Sequence, residues 1–154
     1  LIRGYMTFES TIPVRYAETD KMGIVYHANY LIWFEVARTE LLESLGYPYI
    51  HCEQEGLISP VLHCEADYAT PLRYGDVAVI RTSLIDLTQV RCTFLYRVWR
   101  EGQDAENDAP LCIGKTTHCF LDASTFKPVV MRKKLPGLFE AYQKVLSMGE
   151  FDAH

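Results

Sequence analysis

Residues 15 to 38 read RYAETDKMGIVYHANYLIWFEVAR. They set an acid, Asp20, in a turn with Gly23, seven residues ahead of His27 at the mouth of a long apolar segment. A carboxylate can take a proton from water or attack an activated carbonyl itself. Either route puts negative charge on the carbonyl oxygen, which then needs donors aimed at it. The first turn of a helix offers unpaired N–H groups and the positive end of the helix dipole. A helix opening near His27 would hold the His27 backbone N–H across the turn from Asp20, and Gly23 permits that tight path. The spacing points to acyl chemistry, with Asp20 as general base or nucleophile and the His27 N–H as oxyanion donor. Thioesters suit such a site, because a leaving thiolate needs little acid assistance.

Taken singly, each of these residues has a plainer reading. Asp20 before a glycine is a turn or cap aspartate. His27 is a cap-region or interface histidine, and Tyr16 a packed aromatic. Glu35 and Arg38, three residues apart, form an ion pair along a helix. Tyr26, Tyr30, Trp33 and Phe34 are core aromatics. The combination, not any one residue, carries the chemistry.

The elements that must position these residues follow from periodicity. Residues 7 to 14 read as a strand leading into the turn. A helix follows from about Ala28 to Ser44, stopped by Gly46 and Pro48. Residues 48 to 56 read as a short helix or loop. Four runs then alternate with period two: 58 to 70, 77 to 85, 90 to 100 and 111 to 122. The stretch 101 to 110, EGQDAENDAP, is a solvated hairpin loop. Residues 136 to 148 form a terminal amphipathic helix with Leu138, Phe139, Tyr142, Val145 and Leu146 on its apolar side.

The order is strand, helix, then four strands in antiparallel succession, with short connections favouring hairpins. Between Ala28 and Ala37 only Asn29 and Glu35 are clearly polar. So apolar a helix must be enclosed, and a strongly curved sheet wrapping it would do so. Its remaining apolar side chains and the sheet edge invite a partner subunit.

The whole composition narrows the function. At 154 residues the chain suits one domain, placed at 6–148, with 1–5 as a cloning scar or extension and 149–154 as a tail. Hydrophobic residues at 49% and charged residues at 23% are ordinary for a globular protein. A net charge of -5 speaks against general nucleic-acid binding. No apolar run reaches the roughly 18 residues of a membrane helix. Cys52, Cys64, Cys92, Cys112 and Cys119 are odd in number and contain no CxxC, which fits reduced thiols in the cytoplasm. Neighbouring residues on a strand face opposite ways, so the His-Cys pairs at 51–52, 63–64 and 118–119 make poor metal chelates.

Tyr16, Asp20, Gly23, Val25, Tyr26, His27, Asn29, Tyr30, Glu35, Ala37 and Arg38 together resemble the signature of the hotdog-fold acyl-CoA thioesterases of the 4-hydroxybenzoyl-CoA thioesterase type, nearest the Tol–Pal-associated YbgC-type subgroup. YATPLRYGD, 68 to 76, and GKTTHCFLD, 114 to 122, resemble later parts of the same family. The resemblance implies an α+β fold, a long central helix wrapped by a curved five-stranded antiparallel sheet. It also implies homodimers sharing one continuous sheet, commonly paired into tetramers, and no metal or redox cofactor. Asp20 would be the essential acid and the His27 N–H the oxyanion donor, with Tyr16 and the His27 ring also in the site. Gly23, Tyr26 and Asn29 would border the substrate.

An acyl-CoA substrate brings phosphates. Arg73, Arg91, Arg97, Arg132, Lys133 and Lys134 are candidates to meet them. Two rival readings keep the same fold: a hydratase or dehydratase acting on enoyl thioesters, with His27 and Asp20 moving protons at the α and β carbons, and a non-catalytic acyl-thioester binding module.

Overall fold

The computed structural model describes residues 6–152, with side chains through residue 146; residues 1–5, expected to be a scar or extension, and 153–154 lie outside the described residues. The alternating runs form a five-stranded antiparallel sheet built from β1 (Thr7–Pro13), β3 (Val61–Tyr68), β4 (Val77–Leu87), β5 (Arg91–Arg100) and β6 (Cys112–Cys119). A small β2 (Leu57–Ile58) pairs with β7 (Leu121–Asp122) apart from it. Helix α1 covers Asn29–Ser44 and α2 Tyr49–Gln54. A short α3, Met131–Lys134, leads into α4, Pro136–Asp152, which runs four residues past the expected helix end. This is the hotdog architecture, and among the described residues no helix is long and apolar enough to cross a membrane.

Strand order is β1-β4-β5-β6-β3. The expected hairpins hold for β4–β5 and β5–β6, but β3 and β4 are not neighbours. β3 lies at one edge against β6, and β4 lies between β1 and β5, separated from β3 by the two strands β5 and β6. Residues 69–76 make this crossing over one end of the sheet. Leu72, at its middle, is wholly buried, and Ala69 N–H and Thr70 N–H both donate to the Leu111 carbonyl. Period two marks a strand without naming its neighbour, so only the three-dimensional register shows this crossing.

One sheet face packs on α1. It presents Ala78, Ile80, Thr82 and Leu84 from β4, Cys92, Phe94, Tyr96 and Val98 from β5, and Cys112, Thr116 and His118 from β6, all buried. Against it α1 lays Tyr30, Trp33, Phe34, Ala37, Leu41 and Leu42, the spacing of one helical face. Phe34 stacks on Tyr96 at 4.4 Å. Gly114 makes this approach possible, since a Cβ there would overlap the Phe34 ring.

The wrapping is incomplete within one chain. Ile32 is 54% and Val36 40% exposed on the open side of α1. A single sheet offers the helix one face, so the far side of an all-round apolar helix stays uncovered. β3, along that open side, has one edge unpaired among the described residues and is exposed over nearly its whole length.

Candidate active site at the start of helix α1

The chain enters the site through a single 3-10 turn, Tyr16–Glu18. Glu18 is buried, and its carboxylate fastens this turn to the helix. Oε1 accepts the Arg15 N–H at 2.8 Å and Oε2 accepts Trp33 Nε1–H at 2.7 Å. Burial alone would push the Glu18 carboxyl up. The Arg15 and Trp33 hydrogen bonds and the Arg15 guanidinium outweigh it, leaving the group below its ordinary range. The Glu18 carbonyl accepts the Tyr26 N–H and the Asn29 side-chain amide, each at 2.8 Å. Asn29, expected at the substrate, straps the helix to the turn through this bond.

Asp20 heads the next loop. Its backbone N–H donates to the Ile24 carbonyl, the Gly23 N–H returns to the Asp20 carbonyl at 3.0 Å, and Thr19 bridges Val25. Gly23 takes φ of 76°, the left-handed region that favours glycine. The Val25 N–H donates to the Leu72 carbonyl at 2.8 Å, which seats the loop on the β3–β4 crossing. Asp20 Oδ1 accepts the Met22 N–H at 2.8 Å. The turn-aspartate reading is therefore satisfied by one oxygen, while Oδ2 has no hydrogen-bond partner among the described residues.

Where α1 opens, the Asn29 and Tyr30 N–H groups turn back onto the Tyr26 and His27 carbonyls. No side chain caps the helix. The N–H groups of His27 and Ala28 have no protein acceptor among the described residues. The His27 carbonyl is held by the Tyr68 hydroxyl, which donates to it at 2.9 Å. The His27 ring lies tilted against Tyr26, 4.4 Å between centroids.

Asp20 and His27 line one pocket of about 410 Å³ with Met22, Ile24, Val25, Tyr30, Tyr68, Ala69, Thr70 and Pro71. The helix start, the Asp20 loop and the crossing meet there. Most of the wall is apolar, and the polar groups are few and convergent, the usual make-up of a small-molecule site. Tyr68, Ala69, Thr70 and Pro71 were not singled out by sequence. Their signal was the junction YATPLRYGD, whose part in the wall depends on strand order.

Other expected site residues are placed elsewhere. Tyr16 is 76% exposed, edge-on to Tyr74 at 5.6 Å and outside the pocket. Tyr26 is exposed, lies outside the pocket lining, and sets its ring against the His27 ring. Glu35 and Arg38 do not form the expected ion pair: Arg38 Nη1 turns inward to His118 Nε2 at 3.1 Å, and Glu35 faces solvent.

Of the basic candidates Arg73, in the crossing, lies at the pocket end, and Arg97, next to Val98, is near it in register. Register puts Tyr68 beside Cys112 and Cys112 beside Val98 at that end, and Arg91 beside Cys119 at the other. Arg91 to Val98 is about 24 Å along a strand. The Met131 N–H donates to the Gln89 carbonyl, so α3 with Arg132, Lys133 and Lys134 also lies at the far end. Arg132 covers the Phe139 ring at 5.3 Å, and the Arg97 guanidinium is taken up over the Trp99 ring at 5.9 Å. Among the described residues no cluster of three or more His, Cys, Asp or Glu could hold a metal ion.

The profile of the thioesterase-like superfamily matches residues 14–139. The Bacillus subtilis (strain 168) protein YneP is 41% identical over 133 residues, covering 86% of this chain and 93% of its own. The acyl-CoA thioesterase YbgC of Haemophilus influenzae is 29% identical over 133 residues, with 86% and 93% covered. Among solved structures, a DHNA-CoA thioesterase from Staphylococcus aureus superposes with a TM-score of 0.88 at 32% identity, covering 94% of each chain. With the hotdog sheet and the pocket at the head of its central helix, the chain belongs to the thioesterase-like superfamily.

Proposed function

We propose that the chain is an acyl-CoA thioesterase acting at the Asp20 pocket. One observation carries this reading: a carboxylate oxygen and the His27 N–H, both without protein partners among the described residues, belong to residues lining one mostly apolar pocket. The thioester carbonyl would lie with its oxygen toward the His27 N–H and the α1 dipole. Asp20 would attack the carbonyl carbon or take a proton from the attacking water. The tetrahedral oxyanion then collapses and CoA leaves as thiolate, giving the free acid directly when water attacks, or an acyl anhydride on Asp20 that water then hydrolyses when Asp20 attacks. The names of YbgC and of the Staphylococcus aureus enzyme support a CoA thioester as substrate.

The same reading gives the distant basic residues a place. The free β3 edge, paired antiparallel with its own copy about a twofold axis, would set the Val61 end of one strand beside the Tyr68 end of the other. The Arg91, Arg132 and Lys133 end of a second copy would then border this pocket, while Arg73 is supplied by the chain itself. A homodimer is the minimum assembly, with further pairing into a tetramer. Five free cysteines accord with a reducing, cytoplasmic setting.

The test is release of free CoA from a panel of acyl-CoA and acyl-carrier-protein thioesters, followed with a thiol reagent. Wild-type protein should release CoA, and Asp20→Asn should slow it by about two to four orders of magnitude without loss of fold. Near-normal turnover in Asp20→Asn would overturn the mechanism. Tight binding without hydrolysis, or loss of enoyl absorbance without CoA release, would overturn the activity.

A further inference from the structure

Asn29 is the first residue of α1, yet its side chain makes no helix cap. A capping asparagine turns its oxygen forward to accept an N–H of the first turn. Here the amide nitrogen donates backward, across eleven residues, to the Glu18 carbonyl at 2.8 Å. The same oxygen accepts the Tyr26 N–H at 2.8 Å. One carbonyl therefore holds both ends of the turn from Tyr26 to Asn29.

That turn carries the His27 N–H. A trans peptide is planar, so the His27 N–H points opposite to the Tyr26 carbonyl. The Tyr26 carbonyl accepts the Asn29 N–H at 2.9 Å and so faces into the first turn of the helix. The His27 N–H then faces out of it. Three hydrogen bonds brace the turn, and Asn29 donates two of them, one from its backbone and one from its side chain.

Glu18 is a firm anchor for this brace. It is buried, and its carboxylate accepts Trp33 Nε1–H from α1 at 2.7 Å and the Arg15 N–H at 2.8 Å. Asp20 follows two residues later, with Thr19 bridged to Val25. The acid and the oxyanion donor are thus both hung from Glu18. Asn29 is half-buried and does not line the pocket, so it acts on the turn and not on the substrate. We propose that Asn29 is a positioning residue, which aims the His27 N–H at the thioester oxygen by holding the turn to the Glu18 carbonyl. The proposal rests on the thioesterase reading and adds what sets its oxyanion donor.

Asn29→Ala removes the side-chain donor and keeps a good helix former. For the acyl-CoA hydrolysed fastest in the panel, kcat should fall about tenfold and KM should stay within about twofold, because a misaimed donor is missed mainly in the transition state. The same acyl-CoA, labelled with carbon-13 at its carbonyl, reports the donor directly in the slow Asp20→Asn protein. Its carbonyl stretch should move to lower wavenumber on binding, and adding Asn29→Ala should remove about half of that movement or more. A lower unfolding midpoint with kcat and the carbonyl stretch unchanged would make the bond purely structural and overturn the proposal. A raised KM with kcat unchanged would put Asn29 on the substrate and overturn it too. The residual dipolar coupling of the His27 N–H, in protein without substrate, reads its direction independently of turnover. Asn29→Ala should change that coupling while β4 and β5 keep theirs, and an unchanged coupling refutes the aiming. If the wild type releases CoA from no thioester, the thioesterase reading fails, and the coupling alone decides whether Asn29 orients this N–H. Should Asn29→Ala not fold, Asn29→Asp replaces it in the dipolar measurement, since an ionised carboxylate suits a helix start but has no proton to donate to the Glu18 carbonyl.

Discussion

Glu18 and Asp20 are two carboxylates two residues apart in one turn, and they face opposite surroundings. Glu18, on the core side, has each oxygen taken by a donor from Arg15 or Trp33. Asp20, on the pocket side, gives one oxygen to its own turn and leaves the other free among the described residues. A buried acid whose hydrogen-bonding capacity is met by protein fixes structure. A half-buried acid with a spare oxygen in a pocket is free to meet a substrate. The difference separates a structural carboxylate from a chemical one where residue type and sequence distance cannot.

The largest effect should come from exchanging the charges. Asp20→Asn should cost about three orders of magnitude in kcat, roughly 4 kcal/mol of barrier, and leave the unfolding midpoint within about a degree. Glu18→Ala should do the reverse, lowering stability by about 2–3 kcal/mol because Trp33 Nε1–H and the Arg15 N–H lose their charged acceptor. Urea unfolding and CoA-release kinetics on both variants settle it. A stability loss in Asp20→Asn as large as that in Glu18→Ala would erase the distinction.

Acid separates the buried groups further. The folded pKa of His118 is depressed, so its contribution to stability is present above its unfolded value of about 6.5 and is lost as pH falls toward about 3. One proton taken up on unfolding gives a slope of at most about 1.4 kcal/mol per pH unit. The Glu18 pKa is also depressed, so its contribution persists down to the unfolded value near 4.5 and is lost below it as pH falls through the folded value. Unfolding free energy should therefore decline in two stages. His118→Gln should remove the upper stage and Glu18→Gln the lower. A single stage unchanged in both variants would contradict the assignment.

Legibility in the sequence follows the same division. The Asp20, Gly23 and His27 arrangement could be read because it is local: one turn and one helix start place it. Helix α1 and the strands could be read from periodicity, to within a few residues. Glu18 could not, because its meaning depends on Trp33, fifteen residues later and turned back toward it by the folded helix. The basic residues could not be sorted, because a charge in a chain carries no address until register puts Arg73 at one end of the sheet and Arg91 at the other. The inward turn of Arg38 depends on His118, eighty residues away, whereas the local i, i+3 rule points to Glu35.

The smallest predicted effect tests how the open side of the site is held. The Tyr68 hydroxyl donates to the His27 carbonyl at 2.9 Å and comes from β3, not from the turn or helix. Among the described residues the His27 carbonyl's other partner is the Tyr30 N–H, at 3.4 Å, so Tyr68 is its stronger restraint, while the His27 N–H sits in the preceding peptide, whose Tyr26 carbonyl accepts the Asn29 N–H at 2.9 Å. Losing that one neutral hydrogen bond in Tyr68→Phe should remove about 1 kcal/mol of orientation, roughly a fivefold fall in kcat. KM for acyl-CoA should change little, because the Tyr68 ring still lines the pocket. The Asp20 carboxylate carries no such long-range tie among the described residues, only the Met22 N–H, so its counterpart, Met22→Ala, should leave kcat within about twofold. If Tyr68→Phe raises KM and spares kcat, Tyr68 serves as wall alone, and the His27 N–H is held by the helix without help from the sheet.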